Sequence, residues 1–210
     1  MSEAPVSATA AGAPAAVPAT ARGRARREAI LDAAAHAFLE RGFHATSIDE
    51  VGAAAGISGP GVYRHVASKD ALLMAVLDRM WVTGFKPAVT DAARRPPREA
   101  LEALIDAHVA LVFDQRDALL LLGRELRHLP ADYRHRADRN VRRYVDAWVG
   151  PLRELRPDAD DADARSVAIA LHGAIDSAAR TPDVAPVARR AQVLRSIAAG
   201  VVERFVTDGP

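Results

Sequence analysis

The 210-residue chain contains no cysteine. That excludes disulfides, cysteine nucleophiles and thiolate metal sites, and it fits a reducing cytosol. Long apolar runs are missing as well. None approaches the roughly 18 residues that a membrane helix needs, so no membrane partner is expected. A secretory signal peptide is not expected either, because the Ala/Pro-rich start has no basic segment followed by an apolar one. Lysine is nearly missing. Of 28 basic residues only Lys69 and Lys86 are lysines, which with the abundant alanine fits a high-GC genome. The sequence has no His-Glu-x-x-His, phosphate loop, Gly-x-Ser-x-Gly or dinucleotide fingerprint. The net charge is only +1, so nothing global announces a nucleic acid partner.

What is present is helical periodicity, with half the residues hydrophobic and therefore able to form a sizeable core. Residues 1–21 are the exception. They are Ala, Pro, Ser, Thr and Gly with almost no large apolar side chain, and read as a disordered tail. The most informative stretch runs from Thr46 to Lys69. Thr46 is in position to N-cap a helix, with Asp49 three residues later, and Ile48, Val51 and Ala55 form an apolar face. Gly56 suits a left-handed helix end. Ser58 caps a second, short helix, with Ile57 and Val62 placed as a hydrophobic staple and Pro60 in the first turn. Val62 and Val66 anchor it inward, while Tyr63 and Arg64 project elsewhere. Ser68 caps a third helix beginning at Lys69. Two short helices about a glycine turn form a helix-turn-helix, whose second helix suits the DNA major groove.

This stretch resembles the DNA-binding domain of the tetracycline-repressor (TetR/AcrR) family. Thr46, Gly56, Ile57, Ser58, Tyr63, His65, Val66, Ser68, Lys69, Leu72 and Leu73 match, with Gly42 and Phe43 upstream. The resemblance covers about residues 26–76. It implies an all-α fold, with an N-terminal three-helix helix-turn-helix domain over residues 22–67. A larger C-terminal helical domain over 68–210 would bind a ligand and dimerise. The implied activity is that of a dimeric DNA-binding regulator in the cytoplasm, associated with the nucleoid. By family expectation it is a repressor released from a palindromic operator by a small molecule. No enzyme activity, cofactor or metal is implied.

By the same resemblance Thr46, Tyr63 and Lys69 are expected at phosphates, and His65 near the backbone. Base reading falls to Ser58, Gly59, Pro60, Gly61 and Arg64, and for Arg64 a guanine and a phosphate are about equally supported. Gly59 and Gly61 depart from the polar residues of other members, and Asp49 replaces a frequent basic one. Arg22, Arg24, Arg26 and Arg27 read as a basic arm ahead of a first helix over residues 26–41.

Further helices are expected over 69–85, 98–113, 117–128, 132–155, 159–180 and 184–207. A loop should lie between Pro87 and Pro96-Pro97, and a kink at Pro151. The last two helices, 159–180 and 184–207, match the family's dimerising pair. An effector pocket between helices would draw on Trp81, Phe85, His108, Phe113, Arg124, His128, Tyr144, Trp148, His172 and Asp176. His172 and Asp176, four apart, are also placed to pair with each other. Arg124 in a Leu-rich helix would need an anionic partner if buried. An acyl-CoA thioester is one effector that the resemblance admits. The rival readings are a di-iron helical bundle built on Glu125-x-x-His128, which needs a second such motif, and an architectural DNA binder without a ligand.

Overall fold

The computed structural model describes residues 20–181 and 184–208. The expected tail, residues 1–21, lies outside them up to residue 19. The described residues form helices and no strand. They divide into two compact units, Met1–Leu73 and Met74–Pro210.

The first unit opens with helix α1, Ala21–Arg41. It begins before Arg26 because Thr20 caps it, accepting from the Gly23 N–H at 3.1 Å. The expected arginine arm is therefore helical. Ile30, Leu31, Ala34 and Phe38 face inward, and Phe38 meets Phe43 edge-on at 5.1 Å between ring centroids. Helix α2, Ile48–Ala54, is capped by Ser47 rather than Thr46. Ser47 and Glu50 form the reciprocal capping box: the Ser47 N–H donates to Glu50 at 2.7 Å, and the Glu50 N–H to the Ser47 hydroxyl at 3.2 Å. These hydrogen bonds hold the Glu50 carboxyl below its ordinary pKa. Thr46 cannot cap because it is buried, with its hydroxyl directed at the Ala37 and Gly42 carbonyls, 3.0 and 2.9 Å away.

Gly56 adopts φ +69° after α2, as its position requires. Helix α3, Gly59–Val62, is capped by Ser58, and Val62 and Val66 point inward as their spacing predicts. Backbone meets backbone most closely in the motif at Gly52. A Cβ there would stand 2.9 Å from the Ile57 carbonyl oxygen and 3.1 Å from the Gly59 nitrogen. Helix and turn touch backbone to backbone, which only glycine permits.

Helix α4 runs Lys69–Met80 and enters the second unit. It passes into a π turn, Trp81–Phe85, closed by the Lys86 N–H on the Trp81 carbonyl, and then into α5, Lys86–Ala92. Much of the expected loop after Pro87 is thus helical. Pro87 is tolerated because the π turn starts a new segment and puts it in that segment's first turn. Then come α6, Pro97–Asp114; α7, Arg116–Glu125, with a 3-10 turn, Leu126–His128; and α8, Ala131–Leu155. Pro151 lies inside α8 without ending it. Helix α9, Asp161–Arg180, is capped by Asp160, and α10 spans Val187–Asp208. Helix α6 is central, packing against α5, α8, α9 and α10 around Leu101, Leu104, Val109, Trp148 and Leu171.

Gly52→Ala is expected to destabilise the first unit by about 1–3 kcal/mol, since backbone cannot rotate away as a side chain can. Denaturant unfolding measures it; an unchanged midpoint would contradict this packing.

Candidate functional sites

The face around α3 exposes Ser58, Pro60, Tyr63 and Arg64, with Tyr63 53% accessible. Ser58 accepts from the Gly61 N–H at 3.3 Å and still has its hydroxyl proton to offer. His65 is half-buried. Burial, and then Arg27, Arg64 and Arg26, hold its imidazole pKa below the usual value, which favours the neutral ring.

Several expected contacts sit elsewhere. Gly59 and Gly61 are buried and present no side chain to a base. A Cβ on Gly59 would collide with the Asp49 carboxylate, so this glycine makes room for Asp49 beside the start of α3. Thr46 has no exposed hydroxyl for a phosphate. Arg26 donates to the Ala55 carbonyl at 3.0 Å and Arg27 to that of His65 at 3.0 Å, so both brace the motif. Arg24 is exposed on the first turns of α1. Lys69 donates to the carbonyls of His44 and Thr46, at 3.1 and 3.0 Å, and stands 4.8 Å from the Phe43 ring centroid. The signal for the Ser47 cap is local: Ser47-Ile-Asp-Glu50 carries the capping-box pattern one residue after Thr46.

The second unit holds a cavity of about 220 Å³. Leu77, Met80, Trp81, Phe85, Leu119, Leu122, Ala137 and Val141 form its apolar walls. Tyr144, His172, His108 and Asp176 form one polar wall, and Asp78, Tyr133, Arg136 and Asn140 another. Six of the ten residues expected at a pocket are therefore brought together. The other four are not. Trp148 is fully buried behind His108 and His172. Phe113 lies under the Arg190 guanidinium. Arg124 is half-exposed, 4.0 Å from Glu125, and so needs no buried anion. His128 is exposed and accepts from Arg127 at 3.0 Å. Among the described residues no group of three or more His, Asp or Glu could hold a metal, so Glu125 and His128 gather no di-iron site.

Asp176 pairs with His108 across helices, at 2.9 Å, rather than with His172. His172 instead stacks on Tyr144, with centroids 5.1 Å apart and planes at 25°. The Tyr144 hydroxyl and His172 Nε2 are buried with no hydrogen-bond partner in the chain. Burial pushes the Tyr144 phenol up; the nearby Trp148 indole N–H, short of hydrogen-bond geometry, opposes this, and the Asp176 charge adds to the rise. Burial, with His108 adding to it and Asp176 opposing, brings the His172 imidazole down to about 3. On the other wall Arg136 donates to both Asp78 oxygens, at 3.2 and 3.0 Å, and Tyr133 donates to Asp78 at 3.2 Å. Burial and then Asp78 raise the Tyr133 phenol.

A histidine whose folded pKa lies below its unfolded value stabilises fully above pH ~6.5 and loses that contribution as pH falls toward 3. Acidifying from pH 7 to 5 should therefore cost the second unit on the order of 1–2 kcal/mol through His172. His172→Phe should flatten that part of the pH–stability curve; an unchanged slope would assign the acid sensitivity to other groups.

Two family models match the chain: "Bacterial regulatory proteins, tetR family" over residues 30–76, and "Tetracyclin repressor-like, C-terminal domain" over residues 94–180. The transcriptional repressor KstR2 of Mycobacterium tuberculosis is 31% identical over 148 residues, 64% of this chain and 72% of that protein. The transcriptional activator FasR of Mycolicibacterium smegmatis is 41% identical over 86 residues, and the match spans only 39% of either chain. The solved structure of the M. tuberculosis KstR2, a ketosteroid transcriptional regulator, superposes with a TM-score of 0.71 at 22% identity, covering 89% of this chain and 97% of that one. That of AibR in complex with isovaleryl coenzyme A and operator DNA gives 0.68 at 20% identity, covering 82% and 97%. With both halves of the architecture matched and a relative aligned over most of its length, the chain belongs to the TetR family of bacterial regulatory proteins.

Proposed function

We propose that the chain is a dimeric, sequence-specific repressor that leaves a palindromic operator when a small molecule enters the cavity of the second unit. The observation that carries this is the pairing, in one chain, of an exposed helix-turn-helix face with an apolar cavity holding unpartnered polar atoms. An architectural DNA binder would have no use for such a cavity. Ser58, Pro60 and Arg64 read bases, Tyr63 holds phosphate, and Arg24 and His65 lie near the backbone. Lys69 spends donors on the carbonyls beside Ser47, so it serves binding chiefly by fixing that loop. Repression rather than activation follows KstR2, the relative matched over the greater length.

Dimerisation is supported by apolar side chains left uncovered on α9 and α10. Ile169 is 56% accessible and Ile197 51%, with Val193 and Val201 on the same helix as Ile197 also exposed. Ala191, Ala198, Val202 and Phe205 of α10 face inward and are already spent on the core. An acyl-CoA thioester is the effector class favoured, because AibR, of the same fold, binds isovaleryl coenzyme A. Helix α4 would carry the response, since Leu77, Asp78 and Met80 line the cavity.

Selection from random duplexes should enrich a palindrome with half-sites roughly 34–36 Å apart, bound with steep salt dependence. Enrichment of nothing by folded protein would sink the reading. Arg64→Ala should relax one base pair per half-site at a cost of about 1–3 kcal/mol; an unchanged motif would move Arg64 to a phosphate. In sedimentation, Ile169→Glu with Ile197→Glu should convert a dimer to monomers, and a monomeric parent would refute the interface.

A further inference from the structure

We propose that the wall formed by Tyr144, His172 and the His108–Asp176 pair receives an uncharged oxygen, a carbonyl or a hydroxyl, carried on an apolar ligand, and rejects the carboxylate of the corresponding free acid. This rests on the reading of the cavity as the effector site and deepens it.

Tyr144 is 4% accessible, and its hydroxyl has no partner in the chain. His172 Nε2 is likewise unpartnered, on the ring stacked against it. These two atoms, with His108 Nδ1 and Trp148 Nε1 also unmatched in the same ring cluster, are closed off by their neighbours, and a ligand's polar atom that parts the rings from the cavity side gains most there. A buried donor or acceptor left unmade is costly, and meeting it recovers that cost. The tyrosine hydroxyl donates to a carbonyl. With a ligand hydroxyl, it donates while His172 Nε2 accepts, or the tautomer reverses the second bond.

The charges decide the class of oxygen. The cavity carries one cation among its described lining residues, Arg136, and it is held by Asp78 through both oxygens. The carboxylate nearest the stacked rings is Asp176, bonded to His108. A ligand carboxylate at Tyr144 would meet a like charge with no uncommitted cation, in surroundings that disfavour charge. The raised phenol and the depressed imidazole act in the same direction, keeping both recognising groups uncharged at neutral pH. A thioester, ester, ketone or alcohol is accepted; its free acid is not.

The experiment titrates the purified full chain at pH 7.5 with three eight-carbon probes, 2-octanone, 1-octanol and octanoate, and follows tryptophan fluorescence. Trp81 lines the cavity and Trp148 packs against His172, so both report entry. The ketone and the alcohol should bind at least tenfold more tightly than octanoate. Tyr144→Phe should weaken the ketone about five- to tenfold. It should not lower the melting temperature, because the hydroxyl it removes is unpartnered. Octanoate binding as well as the ketone, ketone affinity unchanged in Tyr144→Phe, or no saturable binding of any probe would each overturn the proposal. No DNA enters the assay, so failure of the operator reading shows separately. Saturable binding of the ketone without any effect on operator occupancy would remove the effector role and leave the selectivity standing.

Discussion

Every helix ends with carbonyls that its own turns cannot satisfy, and a fold of many short helices multiplies that problem. Here the side chains that resolve it are mostly arginines reaching from one element to the end of another. Arg26 takes the carbonyl of Ala55 beyond α2, and Arg27 that of His65 beyond α3. Arg116 and Arg190 take those of Ala179 and Ala178 at the end of α9, and Arg156 that of Phe205 in α10. Lys69 and Thr46 do the same for the loop between α1 and α2. These joints fix the angles at which helices meet, and so place both the exposed face of α3 and the walls of the cavity. A guanidinium suits the task because it keeps its charge at every working pH and offers several donors from one plane.

The same requirement explains where the sequence was legible and where it was not. Caps and inward spacing are local, so the Ser58 cap, the Val62 and Val66 anchors and the left-handed Gly56 could all be read from neighbours. Arg26 could not. As a string, an arginine-rich stretch before a helix-turn-helix looks like an arm for DNA, and only the folded chain shows a carbonyl waiting for it. Thr46 and Ser47 are adjacent candidates for one cap. Burial against α1 decides between them, and burial is not written locally.

The cavity divides in a similar way. Trp81, Phe85, His108, Tyr144, His172 and Asp176 come together because each sits on an inward stripe of its helix. Arg124 and His128 do not, because the run of four leucines ahead of them gives no unambiguous inward face. Tyr133, Arg136 and Asn140 are not legible as cavity residues, because α8 is strongly polar at that end and resembles a solvated helix. Tyr133 is nevertheless buried, and Arg136 closes on Asp78 beside it. The cross-helix partner of Asp176 was also out of reach of sequence spacing, since His108 is 68 residues away.

The π turn between α4 and α5 carries a consequence for how this cavity varies among relatives. A π turn is an α-helix with one residue more than its register needs. Losing any one residue between Trp81 and Phe85 would restore the ordinary register without breaking the helix. Because the π turn already absorbs the extra residue, what lies beyond the deletion would keep its orientation, and α5 would still set Ala88 and Ala92 against α6. The change would be confined to the turn, whose side chains would shift on the wall where Phe85 now packs with its ring centroid 4.4 Å from that of Tyr144. Single-residue insertion and deletion at this point thus offers lineages a coarse control over cavity shape, one that leaves the core around α6 untouched.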